Sequence, residues 1–291
     1  MKTKKLIHLE KIREDQKLYH YTKCSGVQGI IREKTFFATD SSFLNDSNEF
    51  DYIWTVIESI LDEMSNAAWR DELKRVFAVD EESDNYRKSK EYYVLSFSTC
   101  ADSITLWAEF GDSTGYNIGL SSKNIINCIS RENMLVYDGF VIYDFDEQKR
   151  ILRELLVRII PGELSSTFED IMREGKKTPV LFEKFCVTFR KAVSIYAMFF
   201  KQEEFKEEHE YRFVFKSDKK KEVFFREKDG FLLPYLKISV NGDGKNGKLP
   251  IESVMVAPKN HIDLAQKGMQ QYMSYNGYEV PVTLSNIKLR Y

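Results

Sequence analysis

The stretch EEHEYRFVF at 207–215 sets two glutamates, an arginine and a histidine within nine residues. Side chains alternate between the two faces of a strand, so Glu208, Glu210 and Arg212 would share one face at about 6–7 Å spacing. His209, Tyr211, Phe213 and Phe215 would share the other face, which is apolar enough to be a core side, and this places His209 inward. An E-x-E-x-R line is most often a solvated surface on which the guanidinium relieves repulsion between the carboxylates. If the same line borders a cleft, it can do chemistry. One carboxylate can stabilise positive charge developing at an anomeric carbon, the second can hold an acceptor, and the arginine keeps both ionised.

A second candidate is LYHYT at 18–22, where His20 is one of only four histidines in the chain. Alternation groups Leu18, His20 and Thr22 against Tyr19 and Tyr21. A histidine among aromatics is commonly a buried, hydrogen-bonded core residue. At a strand end leading into a helix, it can instead offer a ring nitrogen to a ribose hydroxyl. Spacing alone leaves these two readings even. FSTCADS at 97–103 adds Ser98 and Thr99 near a strand end, and Trp107 reads as core.

FLNDSNEF at 43–50 offers Asp46 and Glu49 in the first turn of a helix, where capping and the helix dipole account for them. Joined to Glu208 and Glu210 they would instead make a divalent-ion site of the metal-dependent nuclease kind, though no clustered D-x-D or H-x-H pattern marks one. The lysines of KSDKKKE at 216–222 read as a solvated hairpin turn with a weak attraction for phosphates. No G-x-G-x-x-G, no G-x-x-x-x-G-K-[ST] and no G-x-S-x-G occurs.

The elements that must position these residues follow from periodicity. Strands are expected at 17–22, 35–40, 91–99, 115–121, 133–144 (one strand or a hairpin), 209–215, 222–227, 233–240 and 252–258, with a last one at 278–285. Helices are expected after Lys23, through 50–77, across 103–111 and at 262–275, with 79–90 a loop. Residues at about 145–203 read as a mainly helical insertion. Strands at both ends without strict β–α alternation predict α+β, and no linker divides residues 1–291, so a single domain is expected.

Hydrophobic residues make up 43% of the 291, enough for a sizeable core, and the net charge of −2 favours no class of partner. The four cysteines have no C-x-x-C spacing, which disfavours structural zinc and suits a reducing cytoplasm. No apolar run reaches the roughly 20 residues of a bilayer span, so no membrane association is expected.

Taken in order, LYHYT, FLNDSNEF, SFSTCADSITLWAEFGDSTGYNIGL, KQEEFKEEHEYRFVF and PIESVMVAPKNHIDL resemble the bacterial domain-of-unknown-function family DUF2971 along nearly the whole chain. Phe205 stands where that pattern carries a tryptophan. The motif order is also similar, more remotely, to ADP-ribosyltransferases. That resemblance implies two small mixed or antiparallel sheets with NAD held between them. It implies His20, with Tyr21 and Thr22, at the NAD ribose, and Ser98 and Arg212 lining the site. Glu210 would be the catalytic carboxylate and Glu208 would orient the acceptor, with which glutamate is catalytic left open. The acceptor would be a nucleic-acid base, a protein side chain or water. The role implied is a toxin or an anti-phage defence effector with a partner encoded in the same operon. A metal-dependent nuclease and a non-catalytic sensor or partner-binding module are the alternatives.

Overall fold

A computed structural model describes residues 3–44, 49–77, 92–111, 114–130, 134–174, 179–217, 222–228, 230–240, 247–258 and 262–288. In chain order the first elements are β1 (Lys17–Thr22), α1 (Cys24–Glu33), β2 (Thr35–Asp40), α2 (Glu49–Asp62), α3 (Ala67–Phe77) and β3 (Tyr92–Ser98). There follow α4 (Ile104–Gly111), β4 (Tyr116–Ser121), α5 (Ser122–Ser130), β5 (Leu135–Phe140), α6 (Phe145–Glu154), α7 (Ile160–Glu163), α8 (Phe168–Glu174) and α9 (Pro179–Tyr196). The chain closes with β6 (Glu210–Lys216), β7 (Val223–Lys228), β8 (Phe231–Ser239), β9 (Ile251–Val256), α10 (Ile262–Tyr275) and β10 (Val282–Leu284). This is α+β, built on a mixed, open sheet.

Two compact units share the chain: Met1–Leu9, Ser41–Tyr92 and Val141–Phe205 form one, and Glu10–Asp40, Tyr93–Phe140 and Lys206–Tyr291 the other. The expected helical stretch at 145–203 is helical, and it belongs with α2 and α3 in the first unit. Apolar positions three and four apart supply that unit's core, as in Ile53, Val56, Ile57, Ile60 and Leu61 of α2. Phe77 meets Phe189 at a ring separation of 5.0 Å, and Trp69 meets Phe168 edge-on. Gln148 is fully buried among these helices and is satisfied at both ends. Its amide donates to the carbonyls of Ile142 (2.6 Å) and Lys201 (2.9 Å), and its oxygen accepts from the Tyr52 hydroxyl (2.7 Å).

The second unit holds the sheet, whose path is β10-β9-β4-β1-β3-β2-β8-β7, with β6 paired to β3 and β5 to β6. The two small sheets expected from the resemblance are joined into one, because β3 is shared. β1 meets β3 at its far end, Tyr19 opposite Ser98, whereas β2 meets it near its start, Thr39 opposite Val94 and Asp40 opposite Tyr93. One face of the sheet carries the core: Leu18, Phe36, Leu95, Phe97, Ile118, Tyr211, Phe213, Phe215, Ile238 and Val254 cluster with Val27, Ile30 and Ile31 of α1. α1 lies close on β1 because Gly26 has no side chain: a Cβ there would come within 2.0 Å of the Thr22 hydroxyl oxygen.

Candidate functional site

Residues opposite one another in a ladder share a face. Tyr19 opposes Ser98 and Tyr21 opposes Asn117, so these four lie on the face away from the main core. Tyr211, Phe213 and Phe215 of β6 join the core, and Phe213 packs edge-on against Phe97. Glu210 and Arg212 therefore alternate to the face of Ser98. Both are buried, Glu210 at 6% and Arg212 at 2% exposure, and they form an ion pair. Arg212 donates from Nε (3.0 Å) and Nη2 (2.6 Å) to the same Glu210 oxygen, Oε2. The solvated surface that E-x-E-x-R commonly marks is thus not what this strand presents.

Glu208 precedes β6 in a 3-10 turn and is buried, and its carbonyl accepts a 2.6 Å hydrogen bond from the Ser98 hydroxyl. The Cys100 N–H donates to the same hydroxyl at 2.9 Å, and the Thr99 N–H donates to the His209 carbonyl at 3.0 Å. Ser98 thus fastens the end of β3 to the start of β6. Its hydroxyl proton is committed to the backbone carbonyl two residues before Glu210. His209 is the correction to the inward placement expected from alternation. The strand begins one residue later, His209 takes a left-handed backbone at φ 46°, and its side chain is 53% exposed. A left-handed residue breaks the two-residue period, so alternation cannot be carried through it.

His20 behaves as its grouping with Leu18 predicts. Its ring packs edge-on to Phe36 (5.2 Å) and against Phe97 (5.4 Å), both members of the core. The Nδ1 nitrogen lies 3.3 Å from the Ser96 carbonyl, in the interval of β3 between its contacts with β1 and β2. A carbonyl only accepts, so Nδ1 carries the proton and Nε2 of the neutral ring is an acceptor. The residue as a whole keeps some surface, but enclosure of the imidazole lowers its pKa to about 4, with the nearby Arg226 charge adding to the effect. His20 is neutral at physiological pH.

The neighbours of His20 have local tasks. The Tyr21 hydroxyl donates to the Cys100 carbonyl (2.9 Å) and accepts from the Ser103 N–H (3.1 Å), and its ring packs on Trp107. Burial raises the phenol's pKa, so it stays protonated. Thr22 abuts Gly26. Asp46 and the side chain of Glu49 lie outside the described residues, as do residues 79–90 and Lys219, Lys220 and Lys221. Among the described residues no group of three or more His, Cys, Asp or Glu is placed to hold a metal ion, and no helix is long and apolar enough to cross a membrane.

Sequence reasoning missed Arg226. It projects from β7 over the rings of Phe37 (5.7 Å) and Tyr235 (5.8 Å), and its Nη2 donates to the Thr39 hydroxyl at 3.3 Å. Its Nε is buried without a hydrogen-bond partner. The available signal was an arginine among the aromatics of EVFFRE, which nothing in local spacing distinguishes from a surface charge.

Residues 106–213 match the model of a family described as a protein of unknown function, DUF2971. The DUF2971 stretch runs from Leu106 of α4 to Phe213 of β6. It includes Glu208, Glu210 and Arg212 and ends before Arg226, while His20 and Ser98 lie ahead of it. No curated protein and no solved structure matches the chain.

Proposed function

We propose that this DUF2971 protein binds NAD and cleaves the bond between nicotinamide and ribose, in the manner of ADP-ribosyltransferases or NAD glycohydrolases. One observation carries the reading. The three motifs of the resemblance lie at positions 20, 98 and 210, and they occupy three adjacent strands, β1, β3 and β6. Ser96 and Ser98 of β3 touch the other two segments: the Ser96 carbonyl accepts from the His20 Nδ1–H, and the Ser98 hydroxyl donates to the Glu208 carbonyl just ahead of β6.

In this reading the neutral Nε2 of His20 accepts from a ribose hydroxyl, and Tyr21 and Thr22 shape the wall beside it. Glu210, kept ionised by Arg212, faces the anomeric carbon. As the C–N bond breaks, its electron pair returns to the pyridinium nitrogen and nicotinamide leaves neutral. The carboxylate stabilises the oxocarbenium-like carbon until a lone pair of the acceptor closes on it. Glu208 orients that acceptor, a nucleic-acid base, a protein side chain or water, and the displaced proton passes to solvent. A reducing, NAD-rich cytoplasm is the compartment this chemistry suits, and the resemblance supports the role of a toxin or defence effector.

A second reading has its own observation. Glu210 is already paired and buried, which equally suits a structural ion pair in a non-catalytic binding module. Incubation with NAD labelled in the nicotinamide ring, in the presence of chelator, separates the two. Release of nicotinamide by the wild-type chain, lost in a folded Glu210→Gln variant, supports the transferase. Absence of both NAD binding and nicotinamide release in the wild type overturns it in favour of the module.

A further inference from the structure

Arg226 is a half-buried cation with an enclosed Nε and, among the described residues, no acid beside it. Its described contacts are two aromatic rings and one neutral hydroxyl, Thr39 Oγ1, and its Nε is enclosed with nothing to donate to. A guanidinium carries five donors in a planar fork matched to tetrahedral and carboxylate oxygens. An enclosed donor left unsatisfied is destabilising, and more so when the group is charged. Arginines with enclosed donors are therefore ordinarily paired, and among the described residues this one lies beside no anion. Burial pulls its pKa down, the signature of a charge whose hydration has been lost and not replaced.

The surroundings suit an incoming anion. Thr39 opposes both Val94 of β3 and Tyr235 of β8, which puts the hydroxyl, the Tyr235 ring and Arg226 on one face. Phe37 and Tyr235 stack at 4.3 Å, a rigid aromatic floor under the guanidinium. The Arg226 charge also reaches the His20 imidazole, where it adds to the lowering of that pKa.

We propose that Arg226 and Thr39 form a binding site for a phosphate-class anion, a phosphoryl or pyrophosphoryl group seated over Phe37 and Tyr235. The guanidinium supplies the paired donors and the threonine a third, against a phosphate's several acceptor oxygens. A single carboxylate uses fewer of these donors. The site stands on Arg226 and its neighbours alone. Its assignment to the pyrophosphate of NAD rests on the transferase reading.

Calorimetric titration of the full chain with inorganic pyrophosphate tests it, with Arg226→Met, Arg226→Lys and the surface variant Arg32→Met alongside. The expected result is saturable binding to wild type and Arg32→Met and roughly tenfold or greater weakening in Arg226→Met, the loss of a charge-assisted fork. Arg226→Lys keeps the charge without the fork and is expected between the two, and it serves if the methionine variant does not fold. Unchanged binding in Arg226→Met, no saturable binding to wild type, or acetate binding as tightly as pyrophosphate each overturns the proposal. Nicotinamide release is read separately: pyrophosphate binding with no NAD turnover leaves this site standing and removes the chemistry, whereas turnover unaffected by Arg226→Met removes the site's part in it.

Discussion

Arg212 closes two donors on one oxygen of Glu210, two residues before it on the same strand, and both side chains are buried. Two charges taken out of water together tolerate the interior only as a pair. Arg212→Met, leaving the carboxylate alone, is expected to lower stability by about 3–5 kcal/mol. Replacing both residues by methionine should recover most of that loss. Chemical denaturation of the single and double variants reads the coupling, and additive losses would show that the pair does not act as a unit.

The stability of the sheet-bearing unit should fall with acid through His20. The folded ring titrates near 4, against 6.5 for a free imidazole. Above 6.5 both states are neutral and the preference of the fold for the neutral ring is complete. As pH drops from 6.5 towards 4, the unfolded chain takes up a proton that the fold refuses, so stability declines, by an amount on the order of 3 kcal/mol. In His20→Gln that part of the slope should vanish. An identical slope in the variant would assign the acid sensitivity to other groups.

Gly26→Ala sets two effects against each other. Alanine favours a helix over glycine by about 1 kcal/mol. The added methyl would meet the Thr22 oxygen at 2.0 Å and the Thr22 Cβ at 3.1 Å. Repulsion wins on these distances, so a lower melting temperature is expected, partly restored when Thr22→Ala is added. A higher melting temperature for Gly26→Ala alone would show that Thr22 turns aside freely.

In the helical unit, Gln148→Leu removes the donor to two buried carbonyls and the acceptor of Tyr52. The expected cost is about 2–4 kcal/mol, set by unsatisfied groups rather than by volume. Gln148→Glu, which keeps the shape but loses the donors, should be at least as harmful. A leucine variant as stable as wild type would contradict the role given to this amide.

What the sequence made legible was local. Alternation in EYRFVF separated Tyr211, Phe213 and Phe215 from Glu210 and Arg212, because a strand enforces its period whatever surrounds it. The same rule failed one residue earlier, at His209, where a left-handed turn interrupts it. Registers between distant strands leave no local trace. Nothing in LYHYT or FSTC indicates that β1 and β2 meet β3 at different ends, so the Ser96 carbonyl awaiting His20 could not be foreseen. Arg226 stayed hidden for the same reason. Its neighbours among the described residues follow from the pairing of β7 with β8 and of β8 with β2, not from the residues beside it in sequence.

The shared strand also governs the order in which this chain can be finished during synthesis. β1, β2 and β3 have all emerged once Ser98 leaves the ribosome, but β6 begins only at Glu210. At translation rates of about 5–20 residues per second, β3 waits roughly 6–20 seconds for that neighbour. Throughout the wait Tyr93, Leu95 and Phe97, all buried in the finished protein, lie on a strand still missing one of its partners. An incomplete strand with apolar side chains is a template for wrong pairing and for aggregation. The nascent chain is therefore a natural client for a chaperone that binds extended apolar segments, and stalling translation between Ser98 and Glu210 is the point at which it would be captured.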